Sequence, residues 1–307
     1  MKSNLKIAIA SPSFSRNEGL IKLLSKYFSN IKCNTANKTL KNQELNNFLH
    51  DAEIAIIGLE KIDELTLNNC KSLKVISKYG VGLDNIDLKY CKYKNIKILF
   101  SKGINKLSVA ELVLCYMIGA KRNIFSSIID MKSNIWHRDG GNNLSGSKIG
   151  IVGFGNIGQE LYRLLKPFHC QFYINDLINI EPNLIQKQSS LDDLLKNSDI
   201  ISLHLPLDAS SRSLINSTNY KLIKNNAILI NTSRSEIIEE SIIYQLLTET
   251  DITYCTDVFP YEPYDDNIII NKKNYFSTPH IGGNSMESIL KMGESAIFNL
   301  IDFYGIK

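Results

Sequence analysis

The sequence predicts an α/β fold of two doubly wound units, each with a parallel β-sheet covered by helices. Short β-branched runs alternate with longer amphipathic segments along the chain. That alternation is typical of parallel sheets with helices on both faces. The pattern runs in two series separated by a helical stretch without a strand, and 307 residues suffice for two ordinary domains.

The first series supplies the candidate strands KIAIAS (6–11), AEIAIIG (52–58), LKVISK (73–78) and IKILF (96–100). Helical patterns between them include NEGLIKLLSKYF (17–28) and QELNNFLHD (43–51). The second series supplies SKIGIVG (147–153), CQFYIND (170–176), DIISLHLP (199–206), AILINTS (227–233), ITYCTDV (252–258) and NYFSTPH (274–280). Each series is long enough to form the sheet of one domain.

The domain boundary is predicted from helices. Residues 105–133 show the pattern of one or two long helices, and residues 284–306 return to helical spacing after the last strand. We expect that final helix to pack on the first domain. The sequence therefore predicts a discontinuous first domain, 1–103 with 284–307, and a second domain, 104–283.

Composition narrows the function classes. Hydrophobic residues make up 44% and charged residues 21%, the balance of a soluble globular protein. A net charge of +4 without a basic stripe argues against a nucleic-acid partner. Six scattered cysteines without a C-x-x-C pair indicate reduced thiols and no zinc site. With no apolar run of about 18 residues, we expect a cytoplasmic protein without a membrane partner or a metal.

A glycine-rich motif, G-x-G-x-x-G, follows the strand at 147–153 and precedes a leucine-rich segment. In a strand-to-helix turn, Gly153 permits the tight turn, Gly155 lets a pyrophosphate approach, and Gly158 allows close packing of helix on strand. The N–H groups of Asn156 and Ile157 would open the helix and receive phosphate oxygens. In this context the motif predicts a dinucleotide site rather than a structural turn.

Asp176 ends the next strand, 18 residues after Gly158. A carboxylate at this position accepts hydrogen bonds from the adenosine ribose and repels a 2′-phosphate. The sequence therefore predicts NAD(H), in preference to NADP(H), as the cofactor.

Polar groups follow three later strands of the second series. Arg234 stands just past one strand, Asp257 ends the next with Glu262 in the loop behind it, and His280 follows the last. The carboxyl ends of parallel strands line the ligand crevice of such a sheet. An isolated histidine there would more often be structural, but this combination favours catalysis.

These motifs resemble the D-isomer-specific 2-hydroxyacid dehydrogenase family, nearest its D-3-phosphoglycerate dehydrogenase branch. The matching segments, from about residue 50 to 290, are KYGVGLDNIDL, NKLSVAELVL, LSGSKIGIVGFGNIGQEL, SLHLPL, NTSR, DVFPYEP and TPHIGG. The resemblance implies a flavodoxin-like substrate lobe and a Rossmann lobe that binds NAD. It also implies a small 2-hydroxy or 2-keto acid substrate and a homodimer. Because the sequence ends at Lys307, we expect no C-terminal regulatory domain.

The resemblance assigns roles to individual residues. His280 becomes the acid/base that takes the hydroxyl proton, Glu262 its partner, and Arg234 the group that binds the substrate carboxylate and carbonyl. The nicotinamide end of the cofactor is assigned to Thr232, Ser233, Asp257, Gly282 and Gly283. His204 would line the cofactor cleft through its backbone. The substrate residues are Gly80, Val81 and Gly82, with Asn105.

Differences between this sequence and the family pattern leave the substrate and the class of function open. Ser235 replaces the family glycine beside Arg234 and could shift that arginine or narrow its pocket. A phosphorylated substrate such as D-3-phosphoglycerate needs further cations, for which Lys61 and Lys78 are candidates, although both fit surface lysines better. Formate, phosphite or a sugar acid are alternative substrates. The alternative class is an NAD(H)-sensing, corepressor-like binding protein.

Overall fold

The computed structural model describes residues 2–181 and 188–306. The chain divides into two compact units. The first unit comprises Met1–Asn105 and Ser285–Lys307, and the second comprises Lys106–Asn284. Both are parallel α/β structures, which confirms the predicted fold class.

The first unit is built on a parallel sheet with the strand order β2-β1-β3-β4-β5. The order matches the expected flavodoxin-like sheet. Its strands are β1 (Ser3–Ile9), β2 (Phe28–Cys33), β3 (Ile54–Ile57), β4 (Val75–Lys78) and β5 (Lys97–Leu99). Its helices are α1 (Pro12–Ser15), α2 (Glu18–Leu24), α3 (Asn42–Leu49), α4 (Glu64–Asn69), α5 (Leu88–Tyr93) and, after the second unit, α12 (Met286–Tyr304).

Helix α12 completes the core of the first unit. Its apolar residues Ala296, Ile297 and Leu300 are buried in the same cluster as Ile7 and Ile9 of β1. The Ser77 hydroxyl of β4 also donates a hydrogen bond to the Ala296 carbonyl at 2.8 Å. The C-terminal segment is therefore part of the first unit.

The second unit is a parallel sheet with the strand order β11-β10-β9-β8-β6-β7. Its strands are β6 (Lys148–Val152), β7 (Gln171–Asn175), β8 (Ile200–Leu203), β9 (Ile228–Asn231), β10 (Thr253–Thr256) and β11 (Tyr275–Ser277). The order reverses at β6, which pairs with β7 on one side and β8 on the other. Ligands of open α/β sheets bind at such a reversal, beyond the carboxyl ends of the strands.

Helices cover both faces of this second sheet. They are α6 (Lys106–Lys121), α7 (Ile124–Lys132), α8 (Asn156–Leu165), α9 (Leu191–Asn197), α10 (Glu240–Glu249) and α11 (Asn267–Ile270). Short 3₁₀ turns occupy Lys166–Phe168, Tyr220–Leu222 and Ser235–Ile237. Successive residues of a strand enter opposite clusters, for example Ile200 and Ile201 of β8. Burial on both faces explains the continuous apolar runs in the sequence.

Residues 105–133 form the two helices α6 and α7, which are bent by 68° at the break between them. Across residues 2–181 and 188–306, no single helix has the length and apolar composition needed to cross a membrane, and only this bent pair passes when taken together. Helix α6 buries Val113, Tyr116 and Met117 in the second unit, whereas α7 has no buried residue.

Candidate active site

The glycine-rich turn joins β6 to α8 in the second unit. Gly153 has a φ of 91°, and a Cβ there would lie 2.6 Å from the carbonyl oxygen of His204. At Gly158 a Cβ would lie 2.2 Å from the carbonyl oxygen of Gly153. Both contacts are too short for any side chain, so the turn and the packing of α8 against it require glycine.

The amino terminus of α8 is open. Gly155 is its N-cap, with no side chain capping the helix, and a Cβ on Gly155 would meet nothing within 4 Å. The first N–H groups of a helix, here those of Asn156 and Ile157, have no partner inside the helix. This end of α8 therefore has the shape and polarity to receive a phosphate group.

Asp176 is fixed beside the glycine-rich turn. It follows β7, and its Oδ2 accepts a hydrogen bond from the Phe154 N–H at 2.7 Å. Its Oδ1 accepts from the Ile178 N–H at 3.0 Å. The carboxylate is half-buried and stands within the same loop cluster as the open helix terminus, which is the position that a ribose-binding carboxylate requires.

Two residues at the ends of β8 and β9 face the same edge of the sheet. His204 is buried, its Nε2 lies 2.9 Å from the Ser202 hydroxyl, and burial lowers its pKa to about 3. His204 is therefore neutral at physiological pH. Thr232 presents a buried Oγ1 without a hydrogen-bond partner among the described residues, and such an atom is expected where a ligand completes the bonding.

The loop after β9 positions Arg234. Asn231 Oδ1 accepts hydrogen bonds from the backbone N–H and the hydroxyl of Ser233, at 3.1 and 2.9 Å. Asn231 Nδ2 donates to the Arg234 carbonyl at 2.8 Å, and Arg234 Nη1 donates to the Ser233 carbonyl at 2.6 Å. Ser235 is buried and donates its hydroxyl to Glu236 at 3.1 Å, so the hydroxyl turns toward its neighbour.

His280 and Glu262 form a direct pair. The Nδ1 of His280 lies 2.8 and 3.0 Å from the two carboxylate oxygens of Glu262. This hydrogen bond, with the negative charges of Glu262 and Asp257, raises the pKa of His280, whereas desolvation and the charge of Arg234 oppose the rise. The net effect favours the imidazolium form.

Asp257 anchors the turn that carries His280. It is 1% exposed, and burial raises the pKa of its carboxyl. Its Oδ1 accepts from the Thr278 hydroxyl at 2.5 Å and from the Ile281 N–H at 2.8 Å, and its Oδ2 accepts from the Gly282 N–H at 2.7 Å. Gly283 follows on the same turn. These bonds show a role inside the protein that the sequence did not predict for Asp257.

In the first unit, the loop after β4 contains Gly80, Val81 and Gly82, all of them half-buried. Asn105 is also buried, and its Oδ1 has no hydrogen-bond partner among the described residues. These predicted substrate residues belong to a different unit from Arg234, Glu262 and His280.

Lys78 corrects one expectation. The sequence favoured a surface lysine, but Lys78 is 5% exposed because it ends β4 in the interior of the first unit. Its ammonium donates to the Gly58 carbonyl at 2.5 Å and to Asn85 Oδ1 at 2.7 Å. Lys61, by contrast, is exposed and lies 3.6 Å from Asp63.

Sequence reasoning missed Tyr116 and Thr278. The Tyr116 hydroxyl lies 2.7 Å from the Thr278 hydroxyl, although 162 residues separate them. Thr278 carried one signal, its place two residues before His280. Tyr116 carried none, because its position in α6 predicts only a core residue.

Comparison with known proteins places these observations in a family. The family model described as "D-isomer specific 2-hydroxyacid dehydrogenase, NAD binding domain" matches residues 114–282. Hydroxypyruvate reductase of Thermotoga maritima is 32% identical over 274 residues, which cover 87% of this chain and 90% of that protein. D-3-phosphoglycerate dehydrogenase of Methanocaldococcus jannaschii is 31% identical over 262 residues, and the match spans 81% of this chain but only 49% of that protein.

A solved structure extends the likeness to the whole chain. The NAD⁺-bound 3-phosphoglycerate dehydrogenase of Entamoeba histolytica has a TM-score of 0.82 and 25% identity, covering 99% of this chain and 96% of the other. The open terminus of α8 and the fixed Asp176 carboxylate fit the same dinucleotide. NAD is therefore the cofactor.

Proposed function

The chain belongs to the D-isomer-specific 2-hydroxyacid dehydrogenase family of NAD-dependent oxidoreductases, and from this premise we propose that it interconverts a small D-2-hydroxy acid and its 2-keto acid with His280 as the acid/base. The observation that carries the proposal is the 2.8 Å contact between His280 Nδ1 and Glu262. NAD(H), when bound, accepts or supplies the hydride.

We propose Nε2 of His280 as the proton-transfer atom. The support is that Glu262 engages Nδ1 of His280, so Nε2 is the nitrogen that remains to exchange a proton with the substrate oxygen. Because Glu262 raises the pKa of His280, the imidazole holds its proton to higher pH. The protonated form is the one that keto-acid reduction needs, since the carbonyl oxygen must gain a proton as it becomes a hydroxyl.

Arg234 is proposed to bind the substrate carboxylate and carbonyl oxygen, because a guanidinium offers paired donors that match a carboxylate. Its loop is fixed by the hydrogen bonds of Asn231. For the first unit we propose, on the family resemblance, that the N–H groups at positions 80–82 hold the carboxylate, with Asn105 as a further polar contact.

The cofactor contacts are proposed from the second unit. The N–H groups at the start of α8 bind the pyrophosphate, and Asp176 binds the adenosine ribose. The support is the open helix terminus and the anchored carboxylate. Further proposed contacts, toward the nicotinamide, are Thr232, Ser233, His204, Asp257, Gly282 and Gly283.

For the substrate we propose an unphosphorylated acid such as hydroxypyruvate or glyoxylate. A phosphate needs accessible cations, but Lys78 has its ammonium directed to Gly58 and Asn85 inside the first unit. Lys61 is exposed, with the carboxylate of Asp63 3.6 Å from its ammonium group, and a neighbouring anion weakens its attraction for a phosphate. D-3-phosphoglycerate, the substrate considered from the sequence, is the alternative.

A steady-state screen of 2-keto acids with NADH tests the proposal. We expect turnover with glyoxylate or hydroxypyruvate and a lower kcat/KM for 3-phosphohydroxypyruvate. Preference for the phosphorylated acid would contradict the substrate proposal alone. NADH binding without turnover of any member of the panel would instead favour the NAD(H)-sensing binding protein.

We also propose a homodimer in the cytoplasm. Helix α7 and the segment after it expose the large apolar side chains of Ile128, Ile129, Ile135 and Trp136 within nine residues of sequence, and exposed apolar side chains of this kind are enriched at subunit interfaces. A second copy of this chain is the proposed partner.

The proposed cytoplasmic location fits six cysteines that are free thiols in the structure, because free thiols persist in a reducing compartment. Fractionation of cells that express the protein tests the location.

A further inference from the structure

Tyr116 places a hydroxyl group in the core of the second unit. The residue lies in the middle of α6, is 3% exposed, and packs edge-on against Phe125. Its hydroxyl lies 2.9 Å from the Thr256 carbonyl and 2.7 Å from the Thr278 hydroxyl. Because Thr278 gives its own proton to Asp257, the Thr278 oxygen accepts from Tyr116, and the single Tyr116 proton is shared between these two acceptors. Leucine or phenylalanine would fill this space without burying a polar atom, so packing alone does not account for the hydroxyl.

The contact with Thr278 leads to His280 through three more hydrogen bonds, all of them to Asp257. Thr278 lies 2.5 Å from Asp257 Oδ1. The two oxygens of Asp257 in turn accept from the N–H groups of Ile281 and Gly282 at 2.8 and 2.7 Å. Those N–H groups directly follow His280, whose φ of 54° is a left-handed conformation that few non-glycine residues adopt. A polar chain thus runs from α6 to the backbone of His280.

We propose that Tyr116 is a positioning residue for proton transfer: its hydroxyl fixes Thr278, Thr278 fixes the Asp257 carboxylate, and that carboxylate fixes the turn that presents His280 to Glu262. The inference rests on the proposed function of His280. Tyr116 does not touch the reacting atoms, and its effect passes only through this chain.

The charges around His280 determine how the pH profile responds. Glu262 and Asp257 stabilise the imidazolium, and Arg234 opposes it. Glu262 acts through a short contact that depends on where the turn holds the ring. When the turn loosens, this largest contribution weakens, the pKa of His280 falls, and the alkaline limb of keto-acid reduction moves to lower pH.

The experiment compares Tyr116→Phe with the wild-type enzyme in NADH-dependent reduction of its best keto acid. We expect kcat to fall about 3- to 10-fold, the size of effect that one hydrogen bond supports. The KM for NADH stays unchanged and the alkaline limb shifts to lower pH. Tyr275→Phe is the matched control, because Tyr275 is a buried tyrosine in the cluster on the other face of the same sheet.

Variants of Thr278 test whether Tyr116 acts on His280 through Thr278. Thr278→Val is expected to reproduce the loss of kcat and the pH shift, and Thr278→Ser to restore both. In the Thr278→Val background, Tyr116→Phe should have no further effect, because both changes break the same chain. Additive losses, or a lower Tm with an unmoved pH profile, would show a purely structural role and overturn the inference.

His280→Gln separates the two proposals. If His280→Gln loses turnover and Tyr116→Phe leaves kcat and the pH profile unchanged, only the positioning role fails. If His280→Gln retains wild-type turnover, the proposed acid/base function fails, and the positioning role fails with it.

Discussion

At the scale of single residues, His280 is held from two directions. Its side chain contacts Glu262, and its backbone is fixed at a φ of 54° by the bonds of the following N–H groups to Asp257. A non-glycine residue in this region costs about 1–3 kcal/mol and persists where its surroundings determine it. The strain therefore lies at the residue that the proposed reaction requires.

Glu262→Gln is predicted to shift the pH profile of reduction. The amide keeps a hydrogen-bond acceptor but removes the negative charge, so the pKa of His280 falls toward its ordinary value. The alkaline limb of kcat/KM should then move to lower pH, because the protonated imidazole is lost earlier as the pH rises. We expect kcat/KM near pH 8 to fall about tenfold, as hydrogen bonds to charged groups are worth about 1.5–3 kcal/mol. An unmoved limb would exclude Glu262 as the partner of His280.

Asp176→Asn is predicted to relax the preference for NADH. The amide oxygen can still accept the Phe154 N–H bond, but the charge that repels a 2′-phosphate is removed. The ratio of kcat/KM for NADPH to that for NADH should rise by about tenfold or more, an energy of about 1.4 kcal/mol. Equal use of both cofactors by the wild-type enzyme would show that the ribose argument is wrong.

Single residues also show what a sequence cannot reveal. Arg234, Glu262 and His280 could be proposed because they stand in recognisable motifs at strand ends. Lys78 and Tyr116 could not be interpreted correctly, because their partners lie elsewhere in the chain: Gly58 for Lys78 and Thr278 for Tyr116. Long-range contacts of this kind leave no local pattern.

At the scale of elements, the turn from β6 to α8 has glycine at two positions for two different reasons. Gly158 allows α8 to pack against the turn, and Gly155 leaves space outside the helix terminus. Gly158 is therefore required for folding, whereas the proposed function gives Gly155 a role in binding.

Gly158→Ala is predicted to lower the stability of the protein, and Gly155→Ala to weaken the binding of NADH. A Cβ at Gly158 meets the Gly153 carbonyl at 2.2 Å, so the substitution should destabilise the protein by about 1–3 kcal/mol and lower Tm by several degrees. Gly155→Ala meets no atom and should leave Tm unchanged while weakening NADH binding, measured by fluorescence titration. Equal effects of both variants on Tm would contradict this division.

The elements also show where sequence patterns fail. All six strands of the second sheet were predicted, since each is a short run rich in β-branched, aliphatic or aromatic residues. In the first unit β2 was missed, because the helical pattern 17–28 was extended to Phe28. The helix ends at Leu24, and Phe28 starts a strand. Strand β2 lies at the edge of its sheet, and the polar residues Ser29, Asn30 and Lys32 interrupt its apolar residues, which weakens the strand signal.

At the scale of the whole molecule, the sequence predicted two parallel α/β units because each sheet is buried on both faces. The proposed dimer would cover apolar side chains that a single chain leaves exposed. Ile129 is 56% exposed and Trp136 is 78% exposed. Burial of such residues is a common source of association energy.

Ile129→Glu is predicted to convert a dimer into a monomer. A charge in an apolar interface is costly to bury, so the molar mass from light scattering should fall to that of one chain, 34.7 kDa. Tyr93→Glu, a change at an exposed residue of the first unit, is the control and should leave the mass unchanged. A wild-type protein that is monomeric at all concentrations would refute the dimer.

The most direct test of the central claim is the turnover of His280→Gln with the best keto acid and NADH. Glutamine removes the titrating imidazole while the cofactor turn at Gly153 remains intact. We predict that kcat falls by about 10²- to 10⁴-fold, the contribution of general acid–base catalysis, with NADH affinity unchanged. Turnover equal to that of the wild-type enzyme would contradict the assignment of His280 as the proton carrier.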